Sequence, residues 1–297
     1  MGRELAAAFP VARHLFEEVD EALKQKLARL MFEGPESELM LTENAQPALM
    51  AVSVAVVRVL ESEGNFRLAD KAAYVAGHSL GEYSALAAAG AFGVATAAEL
   101  LKTRGRAMQK AVPVGVGAMA ALLGIDLEPA QAIAREAAQG EVCACANDNT
   151  PGQIVVSGHR AAVERAIELA KEKGGKRGML LPVSAPFHCS LMQPAADAMR
   201  EALARVTLAP PAVPLVANVT AAAVSDPETI RQLLVQQVTA MVRWRESVLY
   251  LKGQGVATLV EVGAGKVLTG MNKRIDKELA SASVQSPAEV EAFLKTL

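Results

Sequence analysis

Residues 77–81 read Gly-His-Ser-Leu-Gly and match the G-x-S-x-G pattern of a nucleophile elbow. Apolar residues precede the pattern and helix-forming residues follow it up to Ala89, which predicts a strand, a sharp turn and a helix. A serine at such a turn is pushed away from the backbone, and only glycine leaves room on either side. The following helix would aim its N-terminal N–H groups at the serine and stabilise a developing oxyanion. The pattern therefore predicts Ser79 as a catalytic nucleophile.

A serine nucleophile needs a proton acceptor, and the chain has four histidines. His14 lies on a predicted solvated helix face, and His159 stands at a helix start, where a surface cap is expected. His78 lies inside the elbow, with its side chain predicted to point away from Ser79. His188 lies in a proline-held turn after a predicted strand, where functional residues concentrate, although a packed loop histidine is the alternative. His188 is the predicted base.

The order of these residues differs from that of the α/β-hydrolases. In those enzymes the catalytic histidine follows an acidic residue and lies near the C-terminus. No histidine occurs in the last third of this chain. The sequence therefore has an elbow without the usual triad order.

Composition excludes several classes of protein. The chain has 297 residues, 52% of them apolar, with a net charge of −2 and only 4% aromatic residues, which argues against nucleic-acid binding. The three cysteines are too few for a disulfide framework, and Cys143-x-Cys145 lacks the spacing of a zinc knuckle. No targeting segment and no uncharged apolar stretch of membrane-spanning length is visible, so a soluble, cytoplasmic protein without membrane contact is expected.

Hydrophobic periodicity predicts a two-part α/β organisation. The first sixty residues form predicted helices, and alternating helices and strands follow the elbow and fill the C-terminal part. The middle of the chain predicts the order β-α-β-β-α-β, with a polar loop at 147–152, which is the ferredoxin-like arrangement. We therefore predict a large α/β-hydrolase-like domain with a parallel sheet core, formed by 1–115 and 186–297. An inserted small ferredoxin-like α+β domain is predicted at 116–185.

Several separate blocks along the chain carry a family resemblance. The sequence resembles the malonyl-CoA:acyl carrier protein transacylases of type II fatty acid synthesis, and the acyltransferase domains of polyketide and type I fatty acid synthases. The similarity covers nearly the whole chain. The matching blocks are Gln46-Pro47-Ala48, 77–83, Arg104-Gly105 with Met108-Gln109, 117–120, Asn147-x-Asn149, 151–153, Phe187-His188 and Glu261-Val262-Gly263-x-Gly265.

The resemblance implies a reaction and roles for individual residues. Ser79 would take a malonyl group from malonyl-CoA and pass it to the phosphopantetheine thiol of acyl carrier protein, by ping-pong kinetics. His188 would accept the serine proton, the backbone carbonyl of Gln237 would orient that histidine, and the backbone N–H of Leu80 would stabilise the oxyanion. The residues implied in substrate binding are Arg104, Gln46, Met108, Asn147, Asn149, Phe187 and His78.

Arg104 would select malonyl over acetyl groups. A planar guanidinium matches a carboxylate with two parallel hydrogen bonds, and a carboxylate in an apolar pocket needs such a partner. A solvent-facing arginine is the alternative for this position. The resemblance implies no cofactor and no metal, with malonyl-CoA and acyl carrier protein as partners of a monomer.

The start of the sequence departs from the family pattern. Members normally begin with a short apolar strand and a G-Q-G-S-Q turn, whose glutamine N–H contributes to the oxyanion hole. This sequence starts Met-Gly-Arg-Glu-Leu, which resembles the helix after that turn. We therefore expect reduced stability and activity, both restored by an upstream extension. The alternatives are a serine esterase or thioesterase, and a catalytically impaired protein that binds the carrier.

Overall fold

The computed structural model describes residues 1–297, which form fifteen α-helices and nine strands. The helices are α1 (Arg3–Ala8), α2 (Pro10–Leu23), α3 (Leu27–Glu33), α4 (Glu36–Leu39), α5 (Thr42–Gly64), α6 (Leu68–Lys71), α7 (Gly81–Ala88), α8 (Val94–Ala111), α9 (Leu127–Ala138), α10 (Arg160–Glu172), α11 (Gln193–Ala204), α12 (Pro227–Gln237), α13 (Trp244–Gly253), α14 (Val267–Ile275) and α15 (Pro287–Leu294). The strands are β1 (Val75–Ala76), β2 (Gly117–Leu123), β3 (Cys143–Thr150), β4 (Gln153–His159), β5 (Arg177–Leu180), β6 (Leu215–Ala217), β7 (Ala222–Val224), β8 (Thr258–Val262) and β9 (Ala280–Val284).

The strands form three sheets, and the predicted α/β fold is confirmed. In the first sheet β1 pairs in parallel with β6, which pairs antiparallel with β7. In the second, β8 and β9 form a parallel pair. Each of β1 and β8 therefore has one unpaired edge, and a largely apolar cleft of about 970 Å³ is lined by residues of both strands.

The third sheet is the predicted ferredoxin-like unit. Its strands are antiparallel in the order β3-β4-β2-β5, and the chain runs β2-α9-β3-β4-α10-β5. Apolar side chains from β2, β4, α9 and α10 form a hydrophobic core distinct from that of the rest of the molecule, because both helices cover the same face of the sheet. The domain limits at 116 and 185 stay a prediction.

Helices α5 and α8 form the centre of the larger part and set up the site. Helix α5 is long and apolar enough to cross a membrane, but 67% of its most apolar stretch is buried inside the protein, as in a core helix. Gly105 of α8 lets the two helices approach closely, since a Cβ there would lie 2.5 Å from Glu43 Cα. This approach places Gln46 of α5 beside Arg104 of α8.

The prediction of a polar loop at 147–152 is wrong for its first four residues. Asn147 to Thr150 continue β3 and are buried, with register shifts in their pairing to β4. The Asp148 carboxylate is compensated by Arg245, which donates to it from Nε and Nη2 at 2.8–3.0 Å. The turn preference of these four residues is outweighed here by contacts with residues that are distant in the sequence.

Candidate active site

The elbow places Ser79 between β1 and α7, as predicted. Ser79 has φ 54°, a left-handed conformation that costs energy in a residue with a Cβ. Asn218, which follows β6, holds this turn. Its Oδ1 accepts the Ser79 N–H at 2.7 Å, and its Nδ2 donates to the Gly77 carbonyl at 2.7 Å. Asn218, the residue after β6, therefore supplies the hydrogen bonds that stabilise the strained conformation of Ser79.

Replacing Gly77 with alanine is expected to destabilise the fold strongly. An added Cβ would lie 2.0 Å from the carbonyl carbon and oxygen of Gly81, and backbone atoms cannot move aside as a flexible side chain can. We expect a loss of about 3 kcal/mol or more in the free energy of unfolding, at or beyond the upper end of ordinary overpacking. Urea denaturation followed by circular dichroism measures it.

Gly81→Ala is the matched control for this prediction. It lies four residues further on, at the first position of α7, and its added Cβ meets no heavy atom within 4 Å. Alanine also has the higher helix propensity, so this variant is expected to keep or slightly raise stability. Equal losses from the two variants would contradict the close approach at Gly77.

His188 is within hydrogen-bonding distance of the nucleophile. The Ser79 Oγ lies 2.8 Å from His188 Nε2. His188 Nδ1 lies 2.9 Å from the Gln237 carbonyl oxygen and 3.1 Å from that of Ala240. Because carbonyl oxygens only accept, Nδ1 carries the proton and Nε2 is left to accept from the serine hydroxyl. Backbone carbonyls thus occupy the position of a triad carboxylate.

The environment of His188 keeps the ring neutral. Burial and, to a smaller extent, the nearby Arg104 charge lower its pKa to about 3, against the two carbonyl hydrogen bonds. The ring is therefore unprotonated at Nε2 throughout the neutral range. The neutral form is the one that can accept a proton from Ser79.

Arg104 is the cation of the site and is 2% exposed. Its Nη1 donates to Gln46 Oε1 at 2.8 Å, and its Nη2 donates to Ser79 Oγ at 3.0 Å and Gln237 Oε1 at 2.8 Å. Its buried Nε has no hydrogen-bond partner. All of these acceptors are neutral, so the guanidinium lacks a direct anionic partner. A buried charge of this kind is suited to binding a carboxylate.

A cavity of about 340 Å³ opens onto Ser79, Arg104 and His188. Leu80 also lines it, and no backbone carbonyl accepts the Leu80 N–H, which leaves this group free to donate to an oxyanion. Of the other residues implied in substrate binding, the lining includes Gln46, Met108 and Phe187.

The other three residues implied in substrate binding do not line this cavity. His78 Nε2 lies 2.9 Å from Asn149 Oδ1, and the His78 ring packs against Trp244 at 5.7 Å between centroids. Asn147 is buried in β3, where it pairs with Val242. The His78 side chain thus connects the elbow to Asn149 of β3 and to Trp244 of α13, and none of the three residues contributes to the wall of the cavity.

Glu82 and Asn218 belong to the site but were not predicted from the sequence. Glu82 is the one charged residue of α7, and it is fully buried. A single acidic residue in a mostly apolar helix was the signal that could have identified it. Asn218 follows a short strand with no local pattern, and only the pairing of β6 with β1 brings it to the elbow.

Comparison with known proteins agrees with this geometry. The sequence profile of the family described as acyl transferase domain matches residues 1–292. The malonyl CoA-acyl carrier protein transacylase of Escherichia coli K12 is 44% identical over 292 residues, which cover 98% of this chain and 93% of that protein. The crystal structure of the acyl-carrier-protein S-malonyltransferase of Bartonella henselae has 54% identity and a TM-score of 0.97, covering 100% of this chain and 94% of the other.

A second similar structure contains a partner protein. It is a malonyl transacylase in complex with the acyl carrier protein of a type II polyketide synthase, in its holo form. It shares 42% identity and a TM-score of 0.96, with coverage of 100% of this chain and 95% of that chain. By sequence match over nearly its full length and by structure, this chain belongs to the acyl transferase domain family.

Proposed function

We propose that this protein transfers the malonyl group of malonyl-CoA to the phosphopantetheine thiol of acyl carrier protein through a malonyl ester of Ser79. One observation carries the proposal: Ser79 Oγ lies 2.8 Å from His188 Nε2 and 3.0 Å from Arg104 Nη2. A nucleophile, a base and a buried cation therefore meet in one cavity. The names of the similar proteins support the same reaction.

The first half-reaction loads the serine. Ser79 Oγ attacks the thioester carbonyl while its proton passes to His188 Nε2, and the carbonyl oxygen becomes an oxyanion beside the Leu80 N–H. The carbon–sulfur bond then breaks, and the coenzyme A thiol leaves with the proton held by His188. The Gln237 carbonyl stabilises the transient imidazolium through Nδ1.

The Arg104 guanidinium would hold the malonyl carboxylate. Its free Nε and the neutral partners of its other nitrogens leave it able to bind an anionic ligand in this cavity. An acetyl group cannot form this ion pair, so it would lose a charge-assisted interaction that the malonyl group gains.

The second half-reaction transfers the malonyl group to the carrier. The phosphopantetheine thiol gives its proton to His188 and attacks the ester carbonyl, and Ser79 leaves by taking that proton back. These steps need no cofactor, since every proton transfer involves His188. We further propose that the protein acts as a monomer in the cytoplasm, where acyl carrier protein is its partner.

Intact-protein mass spectrometry after mixing with malonyl-CoA tests the proposal. We expect a malonyl adduct that maps to Ser79 and disappears when holo acyl carrier protein is added, with malonyl-carrier protein formed in equal amount. Release of free malonate faster than transfer would instead identify a thioesterase. Absence of an adduct would identify a protein that binds the carrier without catalysis.

A further inference from the structure

We propose that the Glu82 carboxylate is a positioning residue that holds the Ser79 elbow through Asn218 and the Arg104 guanidinium through Gln237. The inference rests on the proposed function, because Glu82 would align the nucleophile Ser79 with Arg104, the clamp for the malonyl carboxylate. Glu82 touches neither Ser79 Oγ nor the cavity. It acts through two amide side chains.

Both carboxylate oxygens of Glu82 are acceptors in the structure. Oε1 accepts from the backbone N–H of Asn218, and Oε2 accepts from Nε2 of Gln237. The residue is fully buried in the first turn of α7. An ionised carboxylate has only acceptor sites and fits this pair of donors.

The first connection runs to the nucleophile. The bond from Glu82 fixes the backbone of Asn218, whose side chain spans the elbow from the Gly77 carbonyl to the Ser79 N–H at 2.7 Å each. Ser79 is held in a left-handed conformation that it would not otherwise favour. Glu82 therefore stabilises the strained turn indirectly, through Asn218.

The second connection runs to the clamp. Gln237 Nε2 donates to Glu82 and to the Ser79 carbonyl at 2.9 Å, which leaves its Oε1 to accept from Arg104 Nη2 at 2.8 Å. A flipped amide would present an NH₂ group to the guanidinium. Because Glu82 accepts from Nε2, it selects the amide orientation that gives Arg104 an acceptor.

Glu82 also supplies a negative charge that interacts with Arg104. The charged or titratable groups that interact with it are Arg104 of α8 and the adjacent Tyr83 hydroxyl. Burial raises the pKa of Glu82 to about 7, against the Asn218 and Gln237 hydrogen bonds and the Arg104 charge. Its ionisation therefore falls in the neutral range.

The pH dependences of activity and stability separate a positioning role from a structural one. The folded-state pKa of Glu82 lies above its ordinary value of 4.5, so its contribution to stability is full below 4.5 and is lost as pH rises through about 7. The positioning role needs the ionised form and strengthens over the same rise. Glu82 is thus expected to favour activity and disfavour stability as pH increases.

Glu82→Gln is the test variant, measured by the rate of Ser79 loading from malonyl-CoA and acetyl-CoA between pH 6 and 9. The wild type should show a rise near pH 7 that the variant lacks, and His188 cannot cause it because its pKa is about 3. At pH 8 we expect malonyl loading to fall on the order of 10²-fold, the effect of a misplacement near 1 Å. Acetyl loading should fall less, since it does not use the clamp.

Glu99→Gln is the matched control, because Glu99 is exposed on α8 and forms no ion pair. Unchanged rates and an unchanged pH profile in a folded Glu82→Gln protein would overturn the inference. If that variant fails to fold, Glu82→Asp decides, since retention of the rise near pH 7 supports the role and its absence refutes it. Failure of wild-type Ser79 to load malonyl would instead overturn the proposed function.

Discussion

Ser79→Ala is expected to abolish formation of the acyl-enzyme and to lower transfer to acyl carrier protein by about 10⁶-fold, the effect of removing a nucleophile from a serine enzyme. No other side chain can take its place, because Ser79 Oγ alone combines a 2.8 Å contact to His188 Nε2 with exposure to the cavity. Intact mass after incubation with malonyl-CoA, and a carrier-loading assay under single-turnover conditions, measure the loss.

Two further variants sharpen this prediction. Ser184→Ala removes another hydroxyl from the wall of the same cavity and should leave loading within a few-fold of wild type. Adding His188→Ala to Ser79→Ala should cost little more, since nucleophile and base act as one unit. A malonyl adduct that persists in Ser79→Ala would contradict the assignment of the nucleophile.

Arg104→Ala is expected to lower malonyl loading on the order of 10²- to 10³-fold, the range for removing one partner of a buried charge pair. Acetyl loading should change far less, since an acetyl group has no carboxylate to lose its partner. The measurement is the ratio of kcat/KM for malonyl-CoA to that for acetyl-CoA. Arg104→Met should show the same fall in the malonyl-to-acetyl ratio while keeping most of the side-chain volume.

Arg106→Ala is the matched control for the clamp. Arg106 lies two residues further along α8, has a side chain that is 59% exposed and pairs with Glu43 at 2.7 Å. Its removal should leave the malonyl-to-acetyl ratio unchanged, because exposed ion pairs contribute little. Equal losses of malonyl and acetyl loading in Arg104→Ala would show that Arg104 has a structural role only.

The local sequence pattern was sufficient to predict the helices and strands that have a strong hydrophobic periodicity. The ferredoxin-like unit has its predicted order of elements, since helix α10 and strands β2 and β4 each combine a regular apolar repeat with glycine or a polar break at their ends. Helices α13 to α15 and strand β9 were not predicted, because their short mixed sequences take their conformation from packing. Helices α13 and α14 pack against β3, β9 pairs with β8, and α15 packs against α5 and β9.

Sequence by itself determined the chemistry available to this protein: an elbow serine, a candidate base at His188 and an arginine whose role the family resemblance implied. The types and spacing of these residues indicate their function, and the elbow that exposes a glycine-flanked serine is formed by a local turn. Tertiary structure alone decided how they act together. It placed Glu82, Asn218 and the Gln237 side chain in one hydrogen-bond network with the elbow. It also directed His78 away from the cavity toward Asn149. Such contacts join residues more than seventy positions apart, and their energies come from burial and hydrogen-bond geometry that no local pattern encodes.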